Sequence, residues 1–393
     1  MRVVLFAAVL VAMASIATFN PILGLLSRGL GFTEIQSGSL VTVTGICWIV
    51  GSFIWSRRAG SSRKPILIAA MAGYALTLVA FAYVTDRAQT AGWSPGLLYA
   101  GLLALRAAGG FCFGAIPSLV QAYLMESTGA ESRAGGMALF GAANGLGFVL
   151  GPALGAALTP FGFTAPMYAS AILLAAVIVL CGWMLPRGKA IIVASGGDRL
   201  SVRDPRIRLY LGIGLLLSTV MIVLQVTCGI YMQDRLGVDA PSAARMVGIG
   251  LSVGGVIVVA VQLFIGRRLT WKPNRVVRTG LFALLAAFTL FMVAPSLYLA
   301  VFVLFGLGIG FTLPGYMTAA SLAVQEREQA AVAGFTAAAQ GVGSFIGPVT
   351  GAALYAVHIS LPYAICALVL LVFYVRVVWL SRKPEVRLPG QGS

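Results

Sequence analysis

The sequence is poor in charge, and above all in negative charge. Only 10% of its 393 residues are charged, with 11 Asp and Glu against 27 Lys and Arg, and it has one histidine. Soluble domains carry about 25% charged residues, so this chain lacks the polar surface that a water-soluble fold would need. No acid lies clearly within an apolar run, which argues against the paired carboxylates or metal cluster of a membrane enzyme. We expect no enzyme activity, no metal and no cofactor.

Cysteines are also few, and they indicate no special chemistry. The five are Cys47, Cys112, Cys181, Cys228 and Cys366, all within apolar runs and without metal-ligand or disulfide spacing. We interpret them as small buried apolar side chains. The N-terminal segment has the composition of a secretion signal. Its apolar run continues to Leu26, however, so we predict that it forms the first membrane helix.

Long apolar runs dominate what remains. The chain is 59% hydrophobic, with a mean hydropathy of +0.96. Its runs of roughly 18 to 25 residues can each cross about 30 Å of hydrocarbon. We predict an all-α integral membrane protein with about twelve transmembrane helices. They are placed at 3–26, 36–55, 65–84, 96–121, 134–158, 163–185, 208–232, 246–265, 276–294, 296–320, 331–356 and 361–380.

Basic residues divide unevenly between the connections. One set of loops includes the basic segments 56–64, 187–208, 266–275 and 381–387, whereas the other set carries only Arg28, Arg87, Arg235 and Arg245. Positive residues stay on the cytoplasmic side of a membrane. We therefore predict that both termini are cytoplasmic, with the protein in a cell membrane, such as a bacterial inner membrane. The net charge of +16 is then a topology signal, and we expect no nucleic-acid partner.

One sequence motif, which we call the repeated phrase, occurs twice, about half the chain apart. The segments are GFVLGPALGA at 147–156 and GSFIGPVTGA at 343–352. The long polar connection 186–208 separates about six helices from about six. We predict an N-terminal bundle at 1–185, a linker at 186–208 and a C-terminal bundle at 209–393. With both termini on one side, the two pseudo-symmetric six-helix bundles are parallel repeats.

These features together resemble the major facilitator superfamily. The segment GLGFVLGPALGAAL is similar to the antiporter motif of that family, and LALRAAGGFCFG to the motif that places an arginine inside the membrane. The segment GSFIWSRRAGSSRKP resembles its cytoplasmic loop motif, which falls here on Arg57, Arg58, Gly60, Arg63 and Lys64. That loop departs from the family pattern, since Ser56 or Arg57 stands where an acid usually latches the two bundles.

The resemblance implies secondary active transport by alternating access, with protons as the coupling ion. We expect a monomer in membrane lipid that exports a small organic molecule, either a drug-like compound or a metabolite, including a metal-chelating one. The alternative is import of a small anionic or polar solute on the same fold. A channel or sensor is disfavoured by the repeated helix-weakening phrase.

The repeated phrase also predicts a moving contact. Its residues are Gly147, Gly151, Pro152 and Gly155 in the first copy, and Gly343, Gly347, Pro348 and Gly351 in the second. Glycines four apart share a helix face and let backbones approach closely, while proline permits a bend. We predict that the two helices form the surfaces along which one bundle rocks against the other. The alternative is static tight packing.

Arg106 is the most informative single residue. It lies about 15 Å along the fourth helix, where a cation is costly and normally faces a cavity or a partner. Two roles are open to it: binding an anionic substrate, or tuning a proton carrier. Under the repeat, Phe302 occupies the matching position in the second half. Other candidate cavity residues are Asn20, Phe113, Asn144, Gln225, Phe311, Thr312, Tyr316 and Gln340.

Proton coupling needs a group that titrates during the cycle. Asp234 ends the seventh predicted helix on the outer side, and Glu126 ends the fourth on the inner side. These two acids, together with Arg106, are the coupling candidates. Either acid could equally be a plain surface charge.

Overall fold

A computed structural model gives the fold for residues 1–58, 63–88, 92–126, 133–185, 201–268, 271–325 and 328–382. These residues form α-helices, with short 3-10 turns at Thr159–Phe161 and Pro295–Leu297. The helices are α1 (Arg2–Gly29), α2 (Glu34–Arg58), α3 (Arg63–Ala88), α4 (Pro95–Phe113), α5 (Ala115–Glu126), α6 (Arg133–Leu158), α7 (Ala165–Met184), α8 (Arg208–Leu236), α9 (Ala240–Arg268), α10 (Pro273–Val293), α11 (Tyr298–Leu322), α12 (Gln329–Val357) and α13 (Leu361–Arg382).

Every predicted span corresponds to one of these helices, except that the fourth is divided into α4 and α5. Pro117 has no N–H to donate to the carbonyl of Phe113, so the helical hydrogen-bond ladder is interrupted there. Gly114 forms the joint, and a Cβ on it would overlap the backbone of α2 at Trp48. The break therefore lies where α4 packs closely against α2.

Among the described residues, ten helical segments are long and apolar enough to cross a membrane. The helices of similar length outside that set are α6 and α12, which are rich in glycine and alanine and carry the repeated phrase. Since successive spans alternate in direction, the first and last described residues, Met1 and Arg382, lie at one face of the molecule. We call this the terminal face, and the opposite one the distal face.

The protein consists of two pseudo-symmetric six-helix bundles. One apolar core is built from α1 to α7, from Val4 to Leu185. A second is built from α8 to α13, and it also buries Leu25 of α1. The predicted bundle limits stay a prediction, and most of the predicted linker, 186–200, lies outside the described residues.

Equivalent backbone contacts recur in the two bundles. Gly110 of α4 packs against Thr44 of α2, and Gly306 of α11 packs in the same way against Gly254 of α9. Arg106 lies one turn before Gly110, so its counterpart is the residue one turn before Gly306, which is Phe302. The contacts thus agree with the equivalence of Arg106 and Phe302 expected from the sequence.

At the terminal face, Arg206 joins the beginning of α8 to the beginning of α12. Its Nη2 lies 2.8 Å from Asp204 Oδ2 and 3.0 Å from Glu328 Oε1. The guanidinium holds the pKa of both carboxyl groups below their usual values. All three groups are accessible to water, so this link contributes little at high salt.

The stability of the Arg206→Gln variant is expected to depend less on pH than that of the unaltered protein. Because the carboxyl pKa values are lowered in the folded state, the stabilisation is present above their unfolded pKa values and is lost as the pH falls through about 4. Melting temperatures between pH 7 and pH 3 check this. The two proteins should differ most at pH 7 and converge in acid, and a constant difference would contradict the assignment.

Candidate functional site

The glycines of the repeated phrase pack helices together inside each bundle. A Cβ on Gly151 of α6 would lie 2.5 Å from the carbonyl oxygen of Ala14 in α1, and one on Gly147 would lie 2.9 Å from that of Leu10. In the second bundle, a Cβ on Gly343 of α12 would overlap the carbonyl oxygen of Leu215 in α8. Gly347, Gly351 and Gly155 also face α8 or α1.

This placement corrects the predicted rocking surface. The glycine faces do not meet the opposite bundle, because α6 and α12 turn another side towards it. At the boundary, a Cβ on Gly38 of α2 would lie 2.6 Å from the carbonyl oxygen of Pro348, and Thr42 Oγ1 donates to Phe345 O at 3.3 Å. In α12 the carbonyl of the proline therefore lies at the boundary, while the glycines hold the helix to its own bundle.

The two bundles meet on the distal side through a symmetric crossing of α1 and α8. A Cβ on Gly24 would lie 2.9 Å from the carbonyl oxygen of Val226, and one on Gly229 would lie 3.5 Å from that of Pro21. The matched contacts of Gly147 and Gly343 align α1 with α8 so that Pro21 corresponds to Val226 and Gly24 to Gly229. Each glycine thus packs against the backbone of the equivalent helix in the other bundle, as two residues related by a twofold axis would.

A cluster of charges closes the distal ends beyond this crossing. The Arg28 guanidinium binds both oxygens of Asp234, with Nη1 at 2.6 Å and Nη2 at 3.1 Å. Arg28 also pairs with Glu34 at 3.1 Å and approaches Gln233 at 3.4 Å, while the Tyr355 hydroxyl donates to Asp234 at 2.7 Å. The cluster ties α1 and α2 to α8 and α12. Sequence analysis selected Asp234 but missed Arg28, its partner.

Two buried amides lie within a helical turn of the crossing, on its terminal side. Asn20 is 6% exposed and Gln225 is 4% exposed, and the alignment of α1 with α8 makes them equivalent. Asn20 Oδ1 and Gln225 Oε1 have no hydrogen-bond partner among the described residues. Buried polar atoms are normally paired, so these two atoms have hydrogen-bonding capacity that no described residue uses.

Arg106 points into the first bundle. Its Nε donates to the carbonyl of Leu40 in α2 at 3.2 Å, and its guanidinium lies 4.1 Å from the centre of the Phe19 ring. The side chain is 5% exposed, and Nη2 has no partner in the described part of the chain. The equivalent Phe302 packs on Gly250 of α9, so in the second bundle an apolar ring takes this place.

Three of the predicted cavity residues point elsewhere. Phe113 is fully buried between Trp48 and Tyr74, with ring centres 4.7 and 5.2 Å away. Thr312 faces Gly280 of α10. Phe311 stacks on Trp271, near the beginning of α10. Thr312 was chosen as a polar residue of a cavity-lining helix and the two phenylalanines as an apolar wall, and neither criterion fixes the direction in which a side chain points.

Polar side chains of α11 and α12 contact each other in the C-terminal bundle. Gln340 is half-buried, and its Nε2 donates to the Tyr316 hydroxyl. The Tyr316 ring is buried against Gly214 of α8, where a Cβ would lie 3.1 Å from it. Asn144 is half-buried in α6. Of Asn144, Tyr316 and Gln340, it is Gln340 that is both partly exposed and held by a side-chain hydrogen bond to a described residue.

The loop motif is described only in part. Gly60 and the side chains of Arg57, Arg58 and Glu126 lie outside the described residues, so the coupling proposal for Glu126 stays a prediction. Arg63 is buried, and Lys64 Nζ donates to the carbonyl of Gly182 at 2.6 Å. Lys64 thus fastens α3 to the end of α7 within one bundle. In the parts of the chain that the structure describes, no group of acids, cysteines and histidine could hold a metal ion.

Comparison with known protein families shows which family this chain belongs to. A model of the Major Facilitator Superfamily matches residues 5–348 and 276–393. The chain belongs to this superfamily. It is accordingly a multi-pass membrane transporter of the secondary-transport type and not an enzyme. Members of this superfamily carry small molecules and are typically monomeric.

Solved structures of other superfamily transporters share the fold. The nucleoside transporter NupG is 13% identical, with a TM-score of 0.72 over 98% of this chain and 99% of that one. A bacterial homolog of the human lysosomal transporter Spinster is also 13% identical, with a TM-score of 0.72 over 98% of both chains. The human organic anion transporter MFSD10 is 19% identical, with a TM-score of 0.63 over 96% and 98%. No curated protein matches the sequence.

Proposed function

We propose that this superfamily transporter exports a small organic molecule in exchange for protons, with its termini in the cytoplasm of a bacterial cell. The observation that carries the proposal is the Arg28–Asp234 ion pair. It joins the two bundles at their distal ends, so opening that end requires the pair to separate. Among the salt bridges found between described residues, the Arg28–Asp234 pair is the one that joins residues of different bundles.

Protonation of Asp234 links the pair to a proton gradient. A protonated carboxyl no longer balances the charge of Arg28, so proton binding and separation of the distal ends favour each other. If the distal face is external, the proton-rich side then favours outward opening, and closure favours proton release. The basic loops of the terminal face support that orientation.

We propose Asn20, Gln225 and Gln340 as substrate-binding residues. Asn20 and Gln225 lie beside the crossing and have unused hydrogen-bonding capacity, and Gln340 is half-buried and donates to Tyr316. Amides bind neutral polar groups, so a small polar compound is the expected cargo. An importer of a small anionic or polar solute would use the same residues, and the direction of flux separates it from an exporter.

Flux measurements in liposomes test the proposed function. A compound library is first screened for the ligand that most raises the melting temperature, because a ligand of the folded state stabilises it. Its flux is then followed under an imposed pH gradient, with a pH-sensitive dye in the lumen. Export by exchange predicts that solute and protons move in opposite directions, and movement in the same direction would show proton-driven import.

Asp234→Asn is expected to reduce proton-driven flux by about tenfold, the scale of an ordinary coupling free energy. The amide keeps the shape of the side chain but cannot take up the coupling proton. Flux driven by a solute gradient alone should fall less. Asp239→Asn is the matched control, since Asp239 is an exposed acid at the same face. Equal proton-driven flux in both variants would refute a coupling role for Asp234.

A further inference from the structure

No acid in the described parts of the chain balances the charge of Arg106. The acids that the structure describes lie in connections or within the first or last turns of helices, whereas Arg106 lies about 17 Å into α4 by helical rise. Glu34, the acid nearest in height on the adjoining helix α2, is about 9 Å of rise from Leu40 and is paired with Arg28. The described residues form no salt bridge with Arg106.

The contacts that Arg106 makes satisfy only part of its guanidinium. Nε is bonded to Leu40 O and the ring of Phe19 lies over the group, but Nη2 is buried without a partner. A buried charge is strongly destabilising unless it is paired and hydrogen-bonded. A cation–π contact leaves the formal charge in place. An anion beside Nη2 would supply both the missing charge and the missing hydrogen bond.

A narrow cleft lies beside the guanidinium. It is lined by Arg106, Phe19, Tyr74, Thr77, Phe81 and Gly109 among others. The Tyr74 hydroxyl is hydrogen-bonded to Ser15 at 3.0 Å, and Thr77 Oγ1 donates to Tyr74 O at 2.7 Å. The lining thus combines a cation and hydroxyl groups with aromatic walls.

The second bundle shows how the same position is built without a charge. Phe302 fills the equivalent place and packs directly on Gly250 and Gly254. In the first bundle the larger Leu40 stands opposite, in the position of Gly250, and its carbonyl binds Arg106. The arginine and its cleft are therefore a feature of the N-terminal repeat alone, and general packing of the fold does not require them.

We infer that Arg106 and the cleft between α1, α3 and α4 form a binding site for a small monovalent anion. The anion is either inorganic, such as chloride, or the carboxylate of an organic solute. The residues that line the cleft all belong to the N-terminal bundle. Its existence does not rest on the proposed direction of transport or on Asp234.

Thermal stability of the purified full-length protein tests the inference. Sodium chloride and sodium acetate are titrated at constant ionic strength against the bulky sulfonate of a HEPES buffer. Binding predicts a saturable rise of the melting temperature of about 2–4 °C at saturation. A shift with chloride indicates an inorganic anion, and a shift with acetate alone indicates a carboxylate. No shift with either anion would overturn the inference.

Two substitutions identify the residue responsible. Arg106→Met keeps an apolar stem and should abolish the anion dependence, while Arg245→Met, which removes an exposed arginine of α9, should leave it intact. Should Arg106→Met fail to fold, Arg106→Lys retains the charge and must move the midpoint of the titration. Saturable binding of radioactive chloride to the unaltered protein, displaced by acetate, provides a second readout. An unchanged titration in the Arg106 variants would refute the assignment.

Discussion

Gly24→Leu is expected to hold the distal ends of the two bundles apart and to reduce transport by about 5- to 150-fold. A Cβ at this position would lie 2.9 Å from the carbonyl oxygen of Val226, which belongs to the backbone and cannot rotate away. Overpacking of this kind costs about 1–3 kcal/mol, the free energy that corresponds to this range. The cost falls only on the closed state, since separated bundles leave room for the side chain.

Distances between the bundles distinguish this result from simple unfolding. Spin labels at Trp93 and Asp239, exposed residues near the distal ends of the two bundles, should move apart in the variant while its melting temperature stays nearly constant. Gly29→Leu is the matched control, because nothing lies within 4 Å of a Cβ there. Closed distances and full flux in Gly24→Leu would show that the crossing does not control access.

The Gly229→Leu variant extends the same test across the pseudo-twofold axis. Its Cβ would lie 3.2 Å from the side chain of Leu25 and 3.5 Å from Pro21 O. A side chain can adjust by a few tenths of an ångström, so the effect should have the same direction as in Gly24→Leu but a smaller size. A larger effect at Gly229 would contradict this account of the crossing.

The sequence predicted the helices well because hydropathy and length are local properties. Each of the twelve apolar runs corresponds to a helix or, for the fourth, to two consecutive helices, and the fold class follows from their number and from the repeat. The division of the fourth span at Gly114 depends on a missing hydrogen bond at Pro117, a local signal that could have been used. The crossing glycines were also within reach, because aligning α1 with α8 pairs Gly24 with Gly229 and Asn20 with Gln225.

Contacts between residues of different helices were predicted less well, because the pattern within one helix does not identify the helix that packs against it. A stripe of glycines shows that some backbone approaches closely, but it does not say whether that backbone lies in the same bundle or the other one. Helical depth places Thr312 and Phe311 at the level of a cavity, yet their direction depends on the rotation of α11. Arg28 looked like an ordinary loop charge because its partner Asp234 is far away in sequence.

Gly151→Val is expected to lower the melting temperature by several degrees and to reduce the yield of folded protein sharply. Its Cβ would meet Ala14 O at 2.5 Å, the Ala17 Cβ at 2.7 Å and Thr18 N at 2.9 Å, so α6 would have to move off α1. That movement also separates Thr18 Oγ1 from Gly151 O, which is 2.7 Å away, although the hydroxyl keeps Ala14 O as an acceptor at 2.7 Å. Overpacking of a rigid site costs about 1–3 kcal/mol.

The glycines of α6 should then differ in how well they tolerate a side chain. This difference distinguishes tight packing of α6 against α1 from a sliding contact between the bundles. A Cβ at Gly155 would lie 3.3–3.4 Å from its nearest neighbours, so alanine there should be nearly tolerated. Alanine at Gly145, where nothing lies within 4 Å of a Cβ, should be harmless. If the glycines lined a sliding contact, Gly151→Val would impair flux while stability stayed unchanged. If they hold α6 to α1, stability and yield fall first, and flux per folded molecule is retained. The backbone distances favour the second outcome, because the atoms that a side chain at Gly151 would meet belong to the same bundle.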